Sequence, residues 1–436
     1  MLIHVIGGGL AGCEAAYALA RQGISVIIWE MRPNMSTPAH QSGDLAELVC
    51  SNSLKSEQPD TAQGLLKMEM RILGSLLLPL ADATRVPAGS ALAVDRVRFS
   101  RLLTRTIEDH PLITVKRQEM RSIPDHPCII ATGPLTSEAM THSLQEISGE
   151  ENLYFYDAVA PTVTRASLDE SVVFKGARYG KGNADYYNCP MNKEEYQAFY
   201  QALLAADALE PSRIDKGMIF EGCMPIEFMA ARGVDTMRFG PMRPVGLTPP
   251  HGEQRPYAVV QLRQEDREGQ LWGLVGFQTR LRWSEQDRVF RLIPGMKKAE
   301  FVRYGVMHRN TYINSPRLLD VSLQFKSRPG IFLAGQLTGV EGYMESAASG
   351  IWAGLSAARY LQGKPPLSLP ETTMLGALIH HITTADPGKF QPMNANFGIL
   401  PPLATAIKDK KQRNMSYATR SLQELREFSE LLQKPL

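Results

Sequence analysis

The chain has 436 residues, a length typical of two or three domains, and its 44% hydrophobic content is ordinary for a globular protein. A net charge of +2 excludes a polycation, and no apolar run reaches the roughly 18 residues that a membrane span needs. The amino terminus reads as a strand rather than a signal peptide, so we expect a cytoplasmic protein without membrane contact.

A strand, a glycine-rich turn, a helix and a second strand open the chain in that order. LIHVI (residues 2–6) is a short apolar strand, and GGGLAG (residues 7–12) follows it with the GxGxxG spacing. CEAAYALARQG then reads as a helix ending at Gly23, and SVIIW as a strand that runs into Glu30. This order predicts a βαβ nucleotide-binding unit, whereas GxGxxG alone would be a weak signal.

Each glycine of this unit has a physical role. Gly7 permits the tight turn, Gly9 lets the backbone approach a pyrophosphate, and Gly12 lets helix and strand pack closely. The helix start offers N–H groups to the phosphates. The Glu30 carboxylate, at the end of the second strand, is placed to bind both ribose hydroxyls of an adenosine.

Two later stretches favour FAD over NAD as the resident cofactor. IIATGP (residues 129–134) reads as a strand entering a glycine turn, and residues 329–354 read as a strand, a glycine-rich loop and a small-residue helix. Gly350 and Gly354 would allow close backbone packing there. The alternative is another βα turn without a ligand. No second GxGxxG for a nicotinamide domain is present, so NADH or NADPH is expected only as a visiting reductant.

Five cysteines occur, none in a CxxC pair, which argues against a disulfide framework and against a structural metal. Cys13 and Cys128 lie in predicted core elements, and Cys189 is ambiguous. Cys50 and Cys223 lie in polar or Gly/Pro-punctuated loops, where a thiol is more often accessible. These two are therefore the candidate catalytic residues.

Two distant loop cysteines beside a flavin suit addition chemistry better than disulfide reduction, which would need a closely spaced pair. Addition of a thiolate to C6 of a pyrimidine makes C5 nucleophilic, and a thiolate is the right nucleophile at neutral pH. This chemistry enables alkylation of uracil at C5.

The sequence resembles the bacterial folate- and FAD-dependent tRNA (uracil-54-C5)-methyltransferases, the TrmFO/Gid family. The resemblance covers residue 7 to about residue 398, and its most specific stretches are AELVCSNSL, FEGCMPIE and GVEGYMES. The other matching stretches are GGGLAGCEAA, EMRP, RVPAGSALAVDR, ATGPLTS, LYFYDAVAP, DYYNCPM, RFGPMRPVGL, GFQTRL, RNTYINSP, AGQLTGVEGYMESAASG and FQPMNANFG.

The resemblance implies FAD in the first domain, 5,10-methylenetetrahydrofolate as carbon donor, NAD(P)H as reductant and 5-methyluridine in the T loop of tRNA as product. Cys223 matches the residue assigned to attack on C6, and Cys50 the residue assigned to removal of the C5 proton. One departure is His40-Gln41-Ser42, where a His-His-Thr run is expected, which weakens any role for residues 41 and 42.

Pattern and resemblance together give a set of expected cofactor-binding residues. They are Gly7, Gly8, Gly9, Leu10, Ala11, Gly12, Glu30, Met31, Arg32, Gly133, Gly335, Gly339, Gly342 and Tyr343. Tyr343 could stack on the flavin or a base, or simply pack.

The predicted fold is α/β, with a Rossmann-like FAD-binding domain of the glutathione-reductase type and an inserted α+β domain. We expect the FAD domain at residues 1–155 and 326–436 and the insertion at 156–325. The insertion contains a predicted hairpin, YAVVQLR and LWGLVGFQT. Its carboxyl-terminal part runs into a basic segment, residues 280–317, with nine basic residues against three acidic ones. Such a segment suits tRNA contact, or is merely a solvated face.

Two helices are also predicted. SEQDRVFRL should begin with Ser284 and Asp287 as a capping pair and end at Pro294-Gly295. SLQELREFSELLQ should be an amphipathic helix that packs on the core.

Three rival functions remain open from the residues. The same chemistry could act on a 23S rRNA uridine. A flavin oxidoreductase of a small molecule would turn over without RNA and have little need of Cys223. A non-catalytic flavoprotein would bind RNA without either cysteine. The paired loop cysteines argue against the last two.

Overall fold

The computed structural model describes residues 1–37, 39–149, 153–158, 160–180, 183–208, 224–247, 249 and 255–433. For residues 153–158, 307–309 and 433 it describes the backbone alone.

The strands are β1 (Leu2–Ile6), β2 (Ser25–Trp29), β3 (Ser53–Ser56), β4 (Arg85–Val86), β5 (Ala91–Val94), β6 (Ile113–Lys116), β7 (Cys128–Ile130), β8 (Leu153–Ala158), β9 (Thr162–Thr164), β10 (Phe174–Gly176), β11 (Tyr186–Met191), β12 (Ala258–Gln264), β13 (Leu271–Leu274), β14 (Phe301–Arg303), β15 (Met307–Tyr312) and β16 (Ile331–Leu333).

The helices are α1 (Leu10–Arg21), α2 (Ala62–Leu73), α3 (Leu77–Ala83), α4 (Arg96–Glu108), α5 (Glu138–Ser148), α6 (Lys193–Leu204), α7 (Ile226–Ala231), α8 (Thr236–Phe239), α9 (Trp283–Phe290), α10 (Ser315–Leu318), α11 (Tyr343–Leu361), α12 (Met374–Thr384) and α13 (Lys410–Gln433).

A five-stranded parallel sheet with the order β16-β7-β1-β2-β6 forms the centre of the cofactor-binding part. Its strands are short and apolar, as expected for a sheet covered on both faces. Strand β16 arrives from late in the chain to pair with β7. Helix α1 packs between the first two strands and α11. The predicted Rossmann-like α/β class is confirmed.

A second, separate sheet has six antiparallel strands in the order β10-β11-β12-β13-β9-β14. The predicted hairpin is confirmed as β12 and β13, with Leu262 opposite Leu274. Three phenylalanines, Phe199, Phe277 and Phe290, fill the space between this sheet and its helices. The middle of the chain therefore has its own α+β core.

The buried apolar residues fall into two main clusters. One cluster, the first core, contains buried residues from Ile3 to Leu144 and from Tyr312 to Phe428. The other cluster, the second core, contains buried residues from Val163 to Ala299. The domain boundaries at 155/156 and 325/326 stay a prediction, since a pair of cores does not fix where a boundary falls.

The predicted capping pair of the basic segment is wrong. Helix α9 begins at Trp283 and its N-cap is Arg282, whose side chain makes no cap hydrogen bond. The Arg282 N–H donates to the Asp207 carbonyl at 3.2 Å, so the chain turns into the helix one residue before Ser284. The Asp287 carboxylate instead pairs with Arg291 at 2.9 Å.

The carboxyl-terminal helix α13 packs on the first core through Leu422, Leu425 and Phe428, as predicted. No helix of the described ranges is long and apolar enough to cross a bilayer. Within those ranges, no three His, Cys, Asp or Glu side chains are gathered as metal ligands would be.

Candidate active site

A long cleft lies at the carboxyl ends of β1, β7 and β16, where an open α/β sheet binds its ligands. Most of the expected cofactor-binding residues line it, namely Gly7, Gly8, Gly9, Leu10, Ala11, Glu30, Met31, Arg32, Gly133, Gly335 and Tyr343. Additional lining residues include Thr37, His40, Glu47, Val49, Glu119, Met120, Thr136, Ser137, Gln336 and Ser346.

Two of the glycines around the start of α1 are required by backbone conformation or by neighbouring backbone atoms that leave no room for a side chain. Gly7 has φ +105, and a Cβ at Gly12 would overlap the Gly7 carbonyl oxygen. At Gly9 a Cβ would meet no atom within 4 Å, because that position faces the open cleft. No side chain caps the start of α1, so its first N–H groups are available to an anionic ligand.

Helix α11 lies directly against α1, as its small residues predicted. A Cβ at Gly350 would overlap the Ala11 carbonyl, and one at Gly354 would lie 2.6 Å from the Ala15 carbonyl oxygen. This contact brings the starts of both helices to the same cleft.

Three of the expected cofactor-binding residues do not line the cleft. Gly12 serves the helix–strand contact. Gly339 has φ +85 and abuts Phe390, while Gly342 has φ +116 and abuts Glu345. These last two glycines shape the turn into α11 rather than presenting backbone to the cleft.

The Glu30 carboxylate lies where the second strand ends, as the sequence predicted. It accepts hydrogen bonds from the Gly8 N–H at 2.9 Å and from Arg32 through its backbone N–H and guanidinium, both at 2.9 Å. Burial alone would raise the pKa of Glu30. The Arg32 hydrogen bonds and charge outweigh burial and hold that pKa below its usual value, so the group is ionised.

A loop that the sequence did not single out encloses this end of the cleft. The Glu47 carboxylate accepts from the backbone N–H groups of Gln41 and Ser42 at 2.9 and 3.0 Å, and it also pairs with Arg32 at 3.3 Å. His40 and Thr37 line the cleft, with their side chains 2.6 Å apart. An acidic residue in a loop carries no local signal of such a role.

FAD fits this cleft. Its diphosphate would lie on the uncapped start of α1 at Gly9, and its adenosine ribose on Glu30. The glycines keep that surface free of side chains. The flavin end would lie toward Gly335, Tyr343 and Ser346.

The Cys50 loop lies at the end of the cleft that Tyr343 lines. The Tyr343 phenol oxygen accepts hydrogen bonds from the backbone N–H groups of Cys50 at 2.7 Å and of Ser51 at 3.2 Å. Burial raises the pKa of Tyr343, and the nearby Cys50 raises it further, so the phenol stays protonated. Cys50 is half-buried, and its neighbour Val49 lines the cleft.

An arginine from the second core holds the same loop from the other side. Arg263 on β12 donates from Nε to the Asn52 side-chain oxygen at 2.9 Å and from Nη2 to the Ser51 hydroxyl at 2.7 Å. The Asn52 amide donates to the Gln264 carbonyl at 2.9 Å. Burial lowers the pKa of Arg263, while Glu265, Tyr186 and Cys50 oppose that change.

Two further arginines contact the loop backbone. Arg96 donates to the Leu48 carbonyl at 3.3 Å and pairs at 2.6 Å with Glu265, the residue directly after β12. Arg303 on β14 donates to the Val49 carbonyl at 3.4 Å. The sequence did not identify any of these contacts. Together they position Cys50 between the two cores.

Cys13 and Cys128 are buried, as predicted, and Cys189 is buried in β11, which settles its ambiguous position. Burial raises the pKa of Cys13, and raises the pKa of Cys128 and of Cys189 to about 12, so these thiols stay protonated. Cys223, the other predicted catalytic residue, lies outside the described residues.

Four arginines of the basic segment pair with carboxylates. Arg282 pairs with Asp207 at 2.8 Å, Arg288 with Glu285 at 2.5 Å and Arg291 with Asp287 at 2.9 Å. Arg280 pairs with Glu227 at 3.6 Å. The charges of these four arginines are therefore offset locally, while Lys297 and Lys298 are exposed.

The parallel sheet, the glycine-lined cleft and the Glu30 carboxylate define an FAD-binding fold of the Rossmann type. The profile of the family described as "Glucose inhibited division protein A" matches residues 2–365. The chain belongs to this family, in the TrmFO/Gid group.

Its relatives and one solved structure agree with this assignment. The chain is 60% identical over 431 residues to "Methylenetetrahydrofolate--tRNA-(uracil-5-)-methyltransferase TrmFO" of Syntrophomonas wolfei subsp. wolfei, covering 99% of each chain. It is 60% identical over 422 residues to the relative of the same name from Moorella thermoacetica, covering 97% of each. The crystal structure of Aquifex aeolicus GidA shares the fold, with a TM-score of 0.73 at 17% identity, covering 99% of this chain and 73% of that chain.

Proposed function

We propose that this chain methylates C5 of a uridine in tRNA, with 5,10-methylenetetrahydrofolate as the one-carbon donor and FAD as the bound cofactor. The proposal extends to uridine 54 of the T loop as the target and to NADH or NADPH as the reductant. We expect the reaction to take place in the cytoplasm.

The observation that supports this proposal is the contact of the Cys50 loop with the end of the cleft at Tyr343. Its backbone is tied to Tyr343, a residue that lines the cleft itself. A thiol whose only role is to fill a core, such as Cys13, lies instead in a helix or strand and is buried. The names of the relatives at 60% identity supply the folate donor and the tRNA acceptor.

Each cysteine has a distinct proposed task. The Cys223 thiolate adds to C6 of the uracil, and the displaced π electrons make C5 the nucleophile toward the one-carbon unit. Cys50 then removes the proton from C5 as the bond between the methylene carbon and the nitrogen that carries it breaks, which leaves an exocyclic methylene on C5. Bound reduced FAD would supply a hydride to this methylene, and the C6–S bond breaks as the C5–C6 double bond re-forms, which releases the Cys223 thiolate and the methylated uracil.

Other residues of the chain hold these parts in place. Tyr343, Arg263, Arg96 and Arg303 fix the Cys50 loop, so the thiol keeps its position while RNA and folate exchange. A general base that is already positioned contributes far more than a mobile one, because no conformational entropy is lost in orienting it during the reaction. The target base sits in a structured loop, so it has to be flipped out to reach the cleft.

The proposal is tested by transfer of label from methylene-labelled methylenetetrahydrofolate, with NADPH, to an unmodified tRNA transcript. Wild type, Cys50→Ala, Cys223→Ala and the control Cys189→Ala are compared. We expect wild type and the control to label the T-loop uridine. Both catalytic variants should lose transfer by several orders of magnitude while retaining FAD, judged from flavin absorption.

Each rival function has its own outcome in this assay. A 23S rRNA fragment labelled in preference to tRNA would move the target to rRNA, an alternative that the relatives' names do not favour. NADPH oxidation with a small-molecule acceptor and no dependence on RNA would indicate an oxidoreductase. Full activity of Cys50→Ala or Cys223→Ala would contradict the proposed division of tasks.

A further inference from the structure

Three aromatic rings beside the second core form a stacked ladder that ends at the surface. The Trp283 ring lies 5.3 Å from the Tyr304 ring, with their planes 14° apart. The Tyr304 ring lies 5.6 Å from the Phe301 ring, with their planes 22° apart. The Tyr304 hydroxyl donates to the Asp287 carboxylate at 3.0 Å, which locks the middle ring in place.

The outermost ring of this ladder is unusually exposed for a tryptophan. Trp283 is 63% exposed, whereas Trp272 and Trp352 are buried and Trp29 is half-buried. Its neighbours Arg282 and Ser284 are exposed as well. Burying an indole is strongly favourable, so a tryptophan held in solvent by an ordered stack is a candidate contact residue.

The ladder is physically continuous with the Cys50 loop. Phe301 and Arg303 belong to β14, Tyr304 follows directly, and Arg303 donates to the Val49 carbonyl, one residue before Cys50. The contact with the Cys50 loop and the middle ring of the ladder therefore belong to consecutive residues, Arg303 and Tyr304.

The chemistry around Trp283 suits a nucleic acid. The guanidinium groups of Arg282 and Arg288 and the ammonium groups of Lys297 and Lys298 are exposed on the same segment. Arginines already paired with carboxylates can exchange them for phosphates, and every base has a face that stacks on an aromatic ring. A folate offers a pterin and a p-aminobenzoyl ring, whereas an RNA loop offers several bases along its length together with the phosphates that the exposed basic groups can bind.

We propose that Trp283, supported by Tyr304 and Phe301, is a stacking site for an unpaired nucleobase of the RNA substrate. This inference rests on the proposed function and adds a contact residue outside the cleft. The stacked base would be a neighbour of the target base, held on the ladder while the target enters at Cys50.

Tryptophan fluorescence reports directly on this site. FAD-loaded enzyme is titrated with an unmodified tRNA transcript, using wild type, Trp283→Phe, Trp283→Ala and the control Leu292→Ala, which removes another exposed apolar side chain of the same segment. We expect tRNA to quench wild type and the control, and Trp283→Phe to lose the quench while binding within about threefold. Trp283→Ala should bind about ten- to a hundredfold more weakly, the loss of one stacked base.

Kinetics separate this inference from the proposed function. For Trp283→Ala we expect a higher KM for tRNA, with kcat at saturating tRNA and FAD content close to wild type. Unchanged affinity of Trp283→Ala, or a quench that persists in Trp283→Phe, would overturn the stacking site while methyl transfer by wild type still stands. A Trp283-dependent quench by methylenetetrahydrofolate alone, or by raising protein concentration alone, would assign the ladder to folate or to a second copy of the chain. Absence of wild-type methyl transfer would reject the function itself.

Discussion

The Tyr343 phenol oxygen lies 2.7 Å from the backbone nitrogen of Cys50, a contact between residues 293 positions apart in the chain. Tyr343 is the first residue of α11, and Cys50 follows an apolar run in an early loop. The start of the helix that lines the cleft therefore also fixes the loop that carries the thiol.

Replacing Tyr343 by Phe should uncouple this loop from the cleft. The N–H groups of Cys50 and Ser51 would lose their acceptor, and a displacement of about 1 Å can cost about a hundredfold in rate. We expect kcat for methyl transfer to fall by roughly ten- to a hundredfold, with FAD retained because the ring remains. Tyr360→Phe, on the same helix, is the control and should leave kcat and FAD content unchanged. Wild-type kcat in Tyr343→Phe would show that the contact is dispensable.

Arg263 should govern the reactivity of Cys50. Arg263→Gln removes a buried positive charge beside the loop, so the thiolate loses stabilisation. In a Cys223→Ala background we expect the profile of Cys50 alkylation rate against pH to move up by roughly one unit. Arg263→Lys keeps the charge and should move the profile less, although it loses the pair of hydrogen bonds to the Asn52 and Ser51 side chains. The exposed Arg98→Gln is the control, and an unmoved profile in Arg263→Gln would contradict the electrostatic role.

Close packing of α1 on α11 makes Gly350 intolerant of a side chain. A Cβ in Gly350→Ala would overlap the Ala11 carbonyl, and relief of such overpacking typically costs about 1–3 kcal/mol. We expect a lower free energy of unfolding in urea and loss of FAD, because Ala11 lines the cleft. Gly388→Ala, at an exposed turn with an ordinary φ, should leave both unchanged. Full FAD content in Gly350→Ala would mean that α11 can move without disturbing the cleft.

Two buried carboxyl groups predict a pH dependence of stability. Glu14 accepts from the N–H groups of Leu76 and Leu77 at the start of α3, and Glu69 from those of Met374 and Leu375 at the start of α12. Burial raises the pKa of each to about 7, from an ordinary value of 4.5. The unfolded chain therefore releases protons that the folded chain keeps between pH 4.5 and 7, so stability falls as pH rises through that window.

Urea unfolding from pH 4.5 to 7.5 measures this effect. Glu14→Gln and Glu69→Gln should each flatten the decline, by an amount on the order of 1–3 kcal/mol between the two ends. The exposed Glu427→Gln should follow wild type. Glu14→Gln and Glu69→Gln curves that run parallel to wild type over the window would contradict the raised pKa of the two carboxyl groups.

Local patterns predicted the elements that local forces determine. The βαβ unit, the β12–β13 hairpin and the small-residue face of α11 each follow from a spacing that any reader of the sequence can see. The start of α9 did not follow from its spacing, because the contact of Arg282 with Asp207 outweighed the capping potential of Ser284.

The setting of Cys50 could not be predicted in the same way. Its motif identified the residue, but Tyr343, Arg96, Arg263 and Arg303 reach it from distant parts of the chain. A side chain that acts through a long-range hydrogen bond leaves no periodicity or spacing behind. Trp283 was likewise missed, since a lone tryptophan in a basic segment has no pattern until its exposure and its stacking are seen.

The late arrival of β16 and α11 has a consequence for how the protein is made. The first βαβ unit emerges from the ribosome hundreds of residues before its edge strand and the helix that covers α1. Until then β7 has an unpaired edge and α1 an uncovered apolar face, both of which invite wrong partners. The nascent chain cannot close its cofactor cleft before residue 361 is translated, so FAD is acquired by a nearly finished polypeptide.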